Sequence, residues 1–551
     1  MNRFEDLSHW KSNLNTLWGA AIIHELYHLG VDAFFLSSGY RSTPLVVPLA
    51  YDFAEEIMRV PAIDERACAY MALGYAKSTG RAAACICTSG TALANFFPAV
   101  IEAFHARVPM VILSADRPAE LIDCDANQAI DQQKIFSNFT KANLTLPAPD
   151  EKIALASILT KIDYAVRAAR VAPMGPVHIN VPFREPLLPT SPPPAHAPLI
   201  KRQRESYTKI IVAKKVLEKS ELQLPAGPIL VAVGELSLQE DLQAIKQALP
   251  LHLGSVYLDV TSSLRFLRTP SVAVANTLFD FNEATPIPSA ILHLGGRILS
   301  KNYYTYLKEV QQNHPIPIIH VNDTITNQDS SAVFTHKYEI SPTLFCKNLR
   351  LQERAALSEQ SPTIVQKRDF LVDTVLEVIP DESYLYLGNS LTVRLFNRSM
   401  PESSTKSVYI TCNRGVSGIE GMMASACGFA RGLGVRVQAH ACQRVTTLIL
   451  GDLSFIYDLN SLYLLRDLPH PLVIVVINNG GGEIFKELPI ANYPKALERF
   501  VVLKHDYRFK EMIEAAKLQY FASPLGLKKS LQEAYAYSMA HNKVAIVEWC
   551  G

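Results

Sequence analysis

Thr446-Thr447-Leu448-Ile449-Leu450-Gly451-Asp452, then 25 further residues, then Asn478-Asn479-Gly480-Gly481-Gly482 directly after Leu472-Val473-Ile474-Val475-Val476-Ile477: this spacing carries the most structural information in the chain. Both apolar runs read as buried strands, and the segment between them is long enough for a helical crossover. The pattern places a carboxylate and an amide oxygen at the carboxyl ends of two strands, where ligands of α/β sheets bind. Asp and Asn side-chain oxygens with a backbone carbonyl suit a hard Mg²⁺ ion, which takes few protein ligands and bridges to phosphates. The glycines after the amides let backbone approach a diphosphate closely. A Gly-Asp pair by itself is commonly a turn; strand, Gly-Asp, spacer, strand and Asn-Asn-Gly-Gly-Gly together are a much rarer combination.

Working outward, the first 190 residues alternate in the same way. Leu14 to Leu29 carries apolar residues at helical spacing, and Ala33-Phe34-Phe35-Leu36 reads as a strand closed by Ser37-Ser38-Gly39. Ala83 to Cys87 is a strand stopping at Thr88-Ser89-Gly90, Ala92 to Ala103 a helix, and Met110 to Leu113 and Val177 to Val181 are further strands. Ser191-Pro192-Pro193-Pro194 reads as a linker. Strands near Ile229–Val233, Ala290–Leu294 and Ile318–Val321 mark a second segment with sparse chemistry, and a third runs from about residue 365 to the end. The expected class is α/β, with three doubly wound domains of mainly parallel sheet: 1–190, 191–364 including the linker, and 365–551.

The chain has 551 residues, 48% hydrophobic and 19% charged, which favours large cores over disorder. Lys plus Arg is 53 against 52 Asp plus Glu, with no basic run, so nucleic acid is not an expected partner. The nine cysteines form no CxxC pair, and Cys85 and Cys87 read as core residues. The N-terminal residues show no signal-peptide pattern and no stretch is long enough for a transmembrane segment, so a cytoplasmic location is expected.

Glu65 precedes the helical run Ala67 to Lys77. An acid there favours the helix macrodipole and is commonly no more than a first-turn residue. The surrounding motifs give it another meaning. The Gly-Asp…Asn-Asn pattern resembles the diphosphate-binding motif of the thiamine diphosphate (ThDP) enzymes. Residues 38–45 (SGYRSTPL), 64–66 (DER), 88–92 (TSGTA), 94–103 (ANFFPAVIEA), 115–118 (ADRP) and 126–128 (ANQ) occur in order. So do 388–394 (GNSLTVR), 413–421 (NRGVSGIEG), 451–460 (GDLSFIYDLN) and 478–485 (NNGGGEIF). Together they resemble the 2-succinyl-5-enolpyruvyl-6-hydroxy-3-cyclohexene-1-carboxylate synthases across both outer segments, and only weakly in the middle one.

The resemblance implies pyrimidine-binding, central and diphosphate-binding domains in that order. It implies a transferase that decarboxylates 2-oxoglutarate and adds the remaining succinyl unit to isochorismate, in menaquinone biosynthesis. It also implies ThDP with Mg²⁺, or Mn²⁺, held by Asp452, Asn479 and the carbonyl of Gly481. Ser390, Gly451, Leu453, Ser454, Ile484 and Phe485 would line the coenzyme, with Ile419 wedging its two rings into a V. Glu65 would activate the coenzyme from the partner subunit, so the protein is expected to be a homodimer or a dimer of dimers. Arg41, Arg117, Arg394 and Arg414 are the expected carboxylate clamps, since guanidinium forks pair bidentately with carboxylates and each such bond contributes about 1.5–3 kcal/mol. Any one of them taken singly is as readily a structural ion pair. Asn127 and Gln128 would contact a hydroxyl or the reacting centre, or cap a turn; Lys301 would add a cation, or stand exposed.

Three positions depart from the family pattern. Tyr40 stands where a small serine is usual, Asp125 replaces a glycine, and Asn302 follows Lys301 where some relatives carry arginine. These keep open a related 2-oxoacid decarboxylase or carboligase with another acceptor. A catalytically silent ThDP-binding protein would be expected to have lost one of Glu65, Asp452 or Asn479. A nicotinamide or flavin Rossmann protein lacks its G-x-G-x-x-G after a strand.

Overall fold

In the computed structural model, the described residues are 5–53, 57–192, 206–211, 224–225, 227–249, 256–267, 287–349, 369–399, 406–437, 444–522 and 526–550. Pro193 and Pro194 of the expected linker, and the expected domain start near 365, lie outside them. The strands form three sheets, parallel throughout. The first holds β1 (Ala33–Ser37), β2 (Met58–Pro61), β3 (Ala83–Cys87), β4 (Met110–Asp116), β5 (Asn143–Thr145) and β6 (Pro176–Pro182), in the order β2-β1-β3-β4-β6-β5. The second holds β7 (Ile229–Val233), β8 (Val256–Leu258), β9 (Ala290–Leu294), β10 (Ile318–Val321) and β11 (His336–Tyr338), ordered β11-β10-β9-β7-β8. The third holds β12 (Ser383–Leu387), β13 (Val408–Cys412), β14 (Thr446–Gly451), β15 (Leu472–Ile477), β16 (Gln519–Ala522) and β17 (Val544–Trp549), ordered β13-β12-β14-β15-β17-β16.

The central strands are buried on both faces, which is why they read as continuous apolar runs. Cys85 and Cys87 are core residues of β3. In the first sheet the chain steps outward from β1 to β2, then returns to β3 on the other side. In the third it steps from β12 to β13 and returns to β14. Each reversal opens a crevice at the strands' carboxyl ends, and that is where an open α/β sheet takes its ligand.

The chain divides into two compact units. One comprises residues 1–212, 413–439 and 457–467; the other comprises 213–412, 440–456 and 468–551. In the first unit, helix Glu65–Thr79 packs on helix Met422–Val437 at backbone distance. A Cβ on Gly74 would fall 1.9 Å from the Ser425 carbonyl oxygen, and one on Gly428 1.9 Å from that of Met71, so only glycine permits this approach. The expected single helix Ala92–Ala103 is instead two, Thr91–Asn95 and Phe97–Ala106. Pro98 has no amide hydrogen to continue the ladder and starts the second helix at its first turn.

Candidate active site

The second unit contains the reversal between β12 and β14. Register pairs Gly451 with Ile477, so Asp452 and Asn478 are the residues immediately beyond the paired strand ends. Asp452 is 2% exposed. Its Oδ1 accepts from the Leu453 amide at 2.6 Å, and its Oδ2 from the Gly481 amide at 2.9 Å. The sequence-distant halves of the motif are therefore joined directly. Gly481 adopts φ 137°, and a Cβ there would lie 2.6 Å from the Val502 carbonyl oxygen. A side chain at this turn is excluded both by conformation and by space. Above Gly451 the space is open, with nothing within 4 Å of a notional Cβ.

Asn479 stands exposed beside this turn, while Asn478 is buried. Asn478 Nδ2 donates to Tyr507 O and Glu548 Oε1, at 2.9 and 2.6 Å. The first amide is thus structural and the second faces outward. Gly388 packs its backbone against β14, its amide donating to Ile449 O at 2.7 Å, which brings the Asn389-Ser390 turn to the same crevice. Ser390 has φ 64°, and its carbonyl accepts from Arg394 Nη1 at 2.5 Å. Leu453 and Ser454 begin the helix Asp452–Tyr457, and Ile484 and Phe485 lie half-buried in the turn Glu483–Glu487. Lys301 is the exposed first residue of helix Lys301–Asn313, and nothing places its side chain against the other predicted residues.

Sequence reading missed His505. Its backbone amide donates to Gly480 O at 3.2 Å and its Nε2 lies 3.2 Å from Asp452 Oδ2, within ion-pair reach but off the hydrogen-bonding direction. No spacing rule marks a residue 53 positions from its partner (505 − 452).

The buried Asp452 carboxylate, the exposed Asn479 and the Gly481 carbonyl, which also accepts from the Glu483 amide at 3.0 Å, belong to the strand ends and turn beside the open space at Gly451. These residues fit a hard cation bridging a diphosphate. Among the described residues, no group of three or more His, Cys, Asp or Glu side chains is placed to hold a metal.

The first unit contains the other reversal, between β1 and β3. Arg41 is 8% exposed; its Nη1 donates to Phe183 O at 3.0 Å and its Nη2 to Glu185 Oε1 at 3.1 Å. Arg117, just past β4, donates through Nη1 to Ser89 Oγ. Burial, and after it the neighbouring Arg41 charge, hold the Arg117 guanidinium below the usual arginine range. Arg41 is ion-paired with Glu185, and Asp116 and Glu185 partly offset the repulsion on Arg117; the two neighbouring guanidinium groups offer donors suited to a carboxylate. Ser89 Oγ also donates to Gln128 O at 3.1 Å, which draws the Ala126-Asn127-Gln128 turn to Arg117. Asn127 and Gln128 have exposed side chains there, and Tyr40, 67% exposed, stands beside Arg41.

Glu65 sits in the first turn of its helix, but capping is done by Asp64, whose Oδ1 accepts from Arg66 N and Ala67 N at 2.8 and 3.3 Å. Glu65 Oε2 instead accepts from Asn95 Nδ2 at 3.1 Å. Arg414 and Ile419 lie on the loop before helix Met422–Val437. Glu102, also unforeseen, is 1% exposed and accepts from the Gly415 and Val416 amides at 2.8 Å each, fixing that loop. Asp458 caps the helix through Met423 N at 2.7 Å; burial pushes its carboxyl up to about 6.

Residues 18–135 match the family "Thiamine pyrophosphate enzyme, N-terminal TPP binding domain", and residues 402–549 match "Thiamine pyrophosphate enzyme, C-terminal TPP binding domain". In solved structures the fold is that of a benzoylformate decarboxylase from Polynucleobacter necessarius (TM-score 0.71, 15% identity, covering 96% of this chain and 98% of that one). A thiamine diphosphate-dependent 4-hydroxybenzoylformate decarboxylase from Rhodococcus jostii RHA1 is similar (TM-score 0.69, 16% identity, 97% and 98%). Parallel sheets with a carboxylate–glycine turn at one reversal and an arginine pair at another, carrying these two domains, define a ThDP enzyme. Among relatives by sequence, the 2-succinyl-5-enolpyruvyl-6-hydroxy-3-cyclohexene-1-carboxylate synthases of Chlorobium phaeobacteroides (strain BS1) and Syntrophus aciditrophicus (strain SB) are 34% and 35% identical. The alignments cover 94% and 95% of this chain, and 92% and 94% of theirs. The chain belongs to the family of these synthases.

Proposed function

We propose that this protein decarboxylates 2-oxoglutarate and joins the remaining succinyl unit to isochorismate, giving 2-succinyl-5-enolpyruvyl-6-hydroxy-3-cyclohexene-1-carboxylate for menaquinone biosynthesis. The observation that carries this reading is the buried Arg41–Arg117 pair at the carboxyl ends of the first sheet's strands, in a chain of this family. Both substrates are dicarboxylates, and two neighbouring guanidinium groups suit such anions. A decarboxylase of an aromatic 2-oxoacid meets a single carboxylate and needs fewer such cations.

Bound ThDP supplies the electron sink that lets the C1 carboxylate leave as CO₂ and renders the succinyl unit nucleophilic. The chain's own residues bind and orient. Asp452, Asn479 and the Gly481 carbonyl hold Mg²⁺ or Mn²⁺, with Ser390, Gly451, Leu453 and Ser454 around the diphosphate. Ile419, Ile484 and Phe485 shape the apolar surround. Glu65 takes and returns a proton at the coenzyme's aminopyrimidine. Arg41, with Arg117 beside it, clamps a carboxylate of isochorismate, the acceptor, and Arg394 and Arg414 clamp further carboxylates, while Asn127 and Gln128 orient the acceptor and Lys301 adds positive charge. Tyr40 lines the acceptor side next to Arg41.

Residues 1–190 serve as the pyrimidine-binding domain, 191–364 as the linker and central domain, and 365–551 as the diphosphate-binding domain. The expected setting is cytoplasmic; among the described residues no helix is long and apolar enough to cross a membrane. The reading is tested by supplying 2-oxoglutarate and isochorismate with and without ThDP and Mg²⁺, and identifying the product by mass spectrometry. Formation of the synthase product only with both cofactors is expected; CO₂ release without coupling to isochorismate would leave the related decarboxylase reading in its place.

A complete site also calls for two chains, because Glu65 is assigned to a coenzyme anchored on the partner. The active species should sediment as a dimer or dimer of dimers, with an interface above roughly 2,000 Å². A fully active monomer would refute this.

A further inference from the structure

We propose that Gln132 is a positioning residue that sets the geometry of the Arg41–Arg117 anion pocket, a role that rests on this pocket being the acceptor site. Gln132 is 1% exposed and its amide joins three strand ends. Its Oε1 accepts from the Gly90 amide at 2.8 Å, just past β3. Its Nε2 donates to Ala115 O on β4 at 3.1 Å and to Asn180 Oδ1 on β6 at 2.8 Å. Asn180 Nδ2 donates to Asp116 Oδ2 at 2.7 Å, and Asp116 Oδ1 accepts from the Arg117 amide at 2.7 Å. The backbone of Arg117 is therefore held by a chain of buried hydrogen bonds that starts at Gln132.

The same amide fixes the other side of the pocket. Gly90 follows Ser89, whose hydroxyl takes the Arg117 guanidinium and donates to Gln128 O. Gln132 thus holds both Arg117 and the loop that orients its side chain. The chain is closed at its far end: Ser114 Oγ lies 2.8 Å from His178 Nε2 and donates to Asn180 Oδ1 at 2.7 Å. His178 is neutral, since burial lowers it to about 3. Every amide atom that matters here is paired, and a fully satisfied buried network specifies one geometry.

The test uses the holoenzyme with Gln132→Met, which keeps the length but has neither donor nor acceptor, and Gln132→Glu. Burial favours the neutral form of a carboxyl at 132, which can accept from Gly90 and donate one hydrogen bond, to Asn180 or to Ala115 O. Gln132→Met should raise the isochorismate KM by about ten- to a hundred-fold, with the 2-oxoglutarate KM changed less than about twofold. Gln132→Glu should recover most of that loss. Phenylglyoxal labelling mapped by peptide mass supplies a readout that needs no substrate: Arg117 should react several-fold faster in Gln132→Met than in the wild type. Parallel rises in both KM values, or unchanged Arg117 labelling, would overturn the proposal. If the wild type ignores isochorismate, the reaction reading fails, and Arg117 labelling alone still decides the role of Gln132.

Discussion

Asp452→Ala should abolish metal-dependent ThDP binding, measured by calorimetry. Asp452 contributes a buried anionic oxygen at the end of β14 and simultaneously pins the Gly481 turn at 2.9 Å. Its loss removes a proposed metal ligand and releases the carbonyl that would supply another. Losing a mere supporting partner of a metal site costs about 10–100-fold in affinity, so losing both functions should exceed that range. Asp452→Asn separates the roles in part: its one oxygen can accept from Gly481 but no longer also from Leu453, so the melting temperature should fall less than in Asp452→Ala while ThDP affinity drops. Wild-type affinity in both variants would remove Asp452 from the cofactor site.

Glu65→Gln should keep the fold and most ThDP binding yet slow turnover by about 10²–10⁴-fold, the usual cost of removing a positioned proton-transfer group. The fold should survive because Asp64, not Glu65, caps the helix, and because a glutamine oxygen can still accept from Asn95. The direct readout is exchange of the C2 proton of bound ThDP, followed by NMR. Exchange at the wild-type rate would reduce Glu65 to a first-turn acid.

The strands that build the crevices were legible because both their faces are buried. Ala83–Cys87, Ile229–Val233 and Leu472–Ile477 fall where apolar runs predict them. Edge strands such as Asn143–Thr145 and His336–Tyr338 are short and largely polar, so periodicity does not mark them. The Gly-Asp…Asn-Asn motif was legible as a pair of strand ends, and its hydrogen bond from Gly481 to Asp452 follows from that. Arg41 and Arg117 could be named from motifs, but not their mutual repulsion, which arises only when β1 and β4 bring residues 76 positions apart (117 − 41) to one pocket. Gln132 and His505 lie outside the quoted motifs, and Glu102 lies within one without any sign of its role. Each acquires meaning from backbone amides or carbonyls supplied by distant segments. Likewise, Gly74 and Gly428 read as weak helix residues until their helices are seen to pack at backbone distance.

The central claim is that Asp452, Asn479 and the carbonyl of Gly481 hold the metal of the ThDP diphosphate. Anomalous diffraction from crystals grown with ThDP and Mn²⁺ tests it most directly. One manganese peak is expected, ligated by those three oxygens and by the diphosphate. A peak elsewhere, or one with no ligand from Asp452, would contradict it.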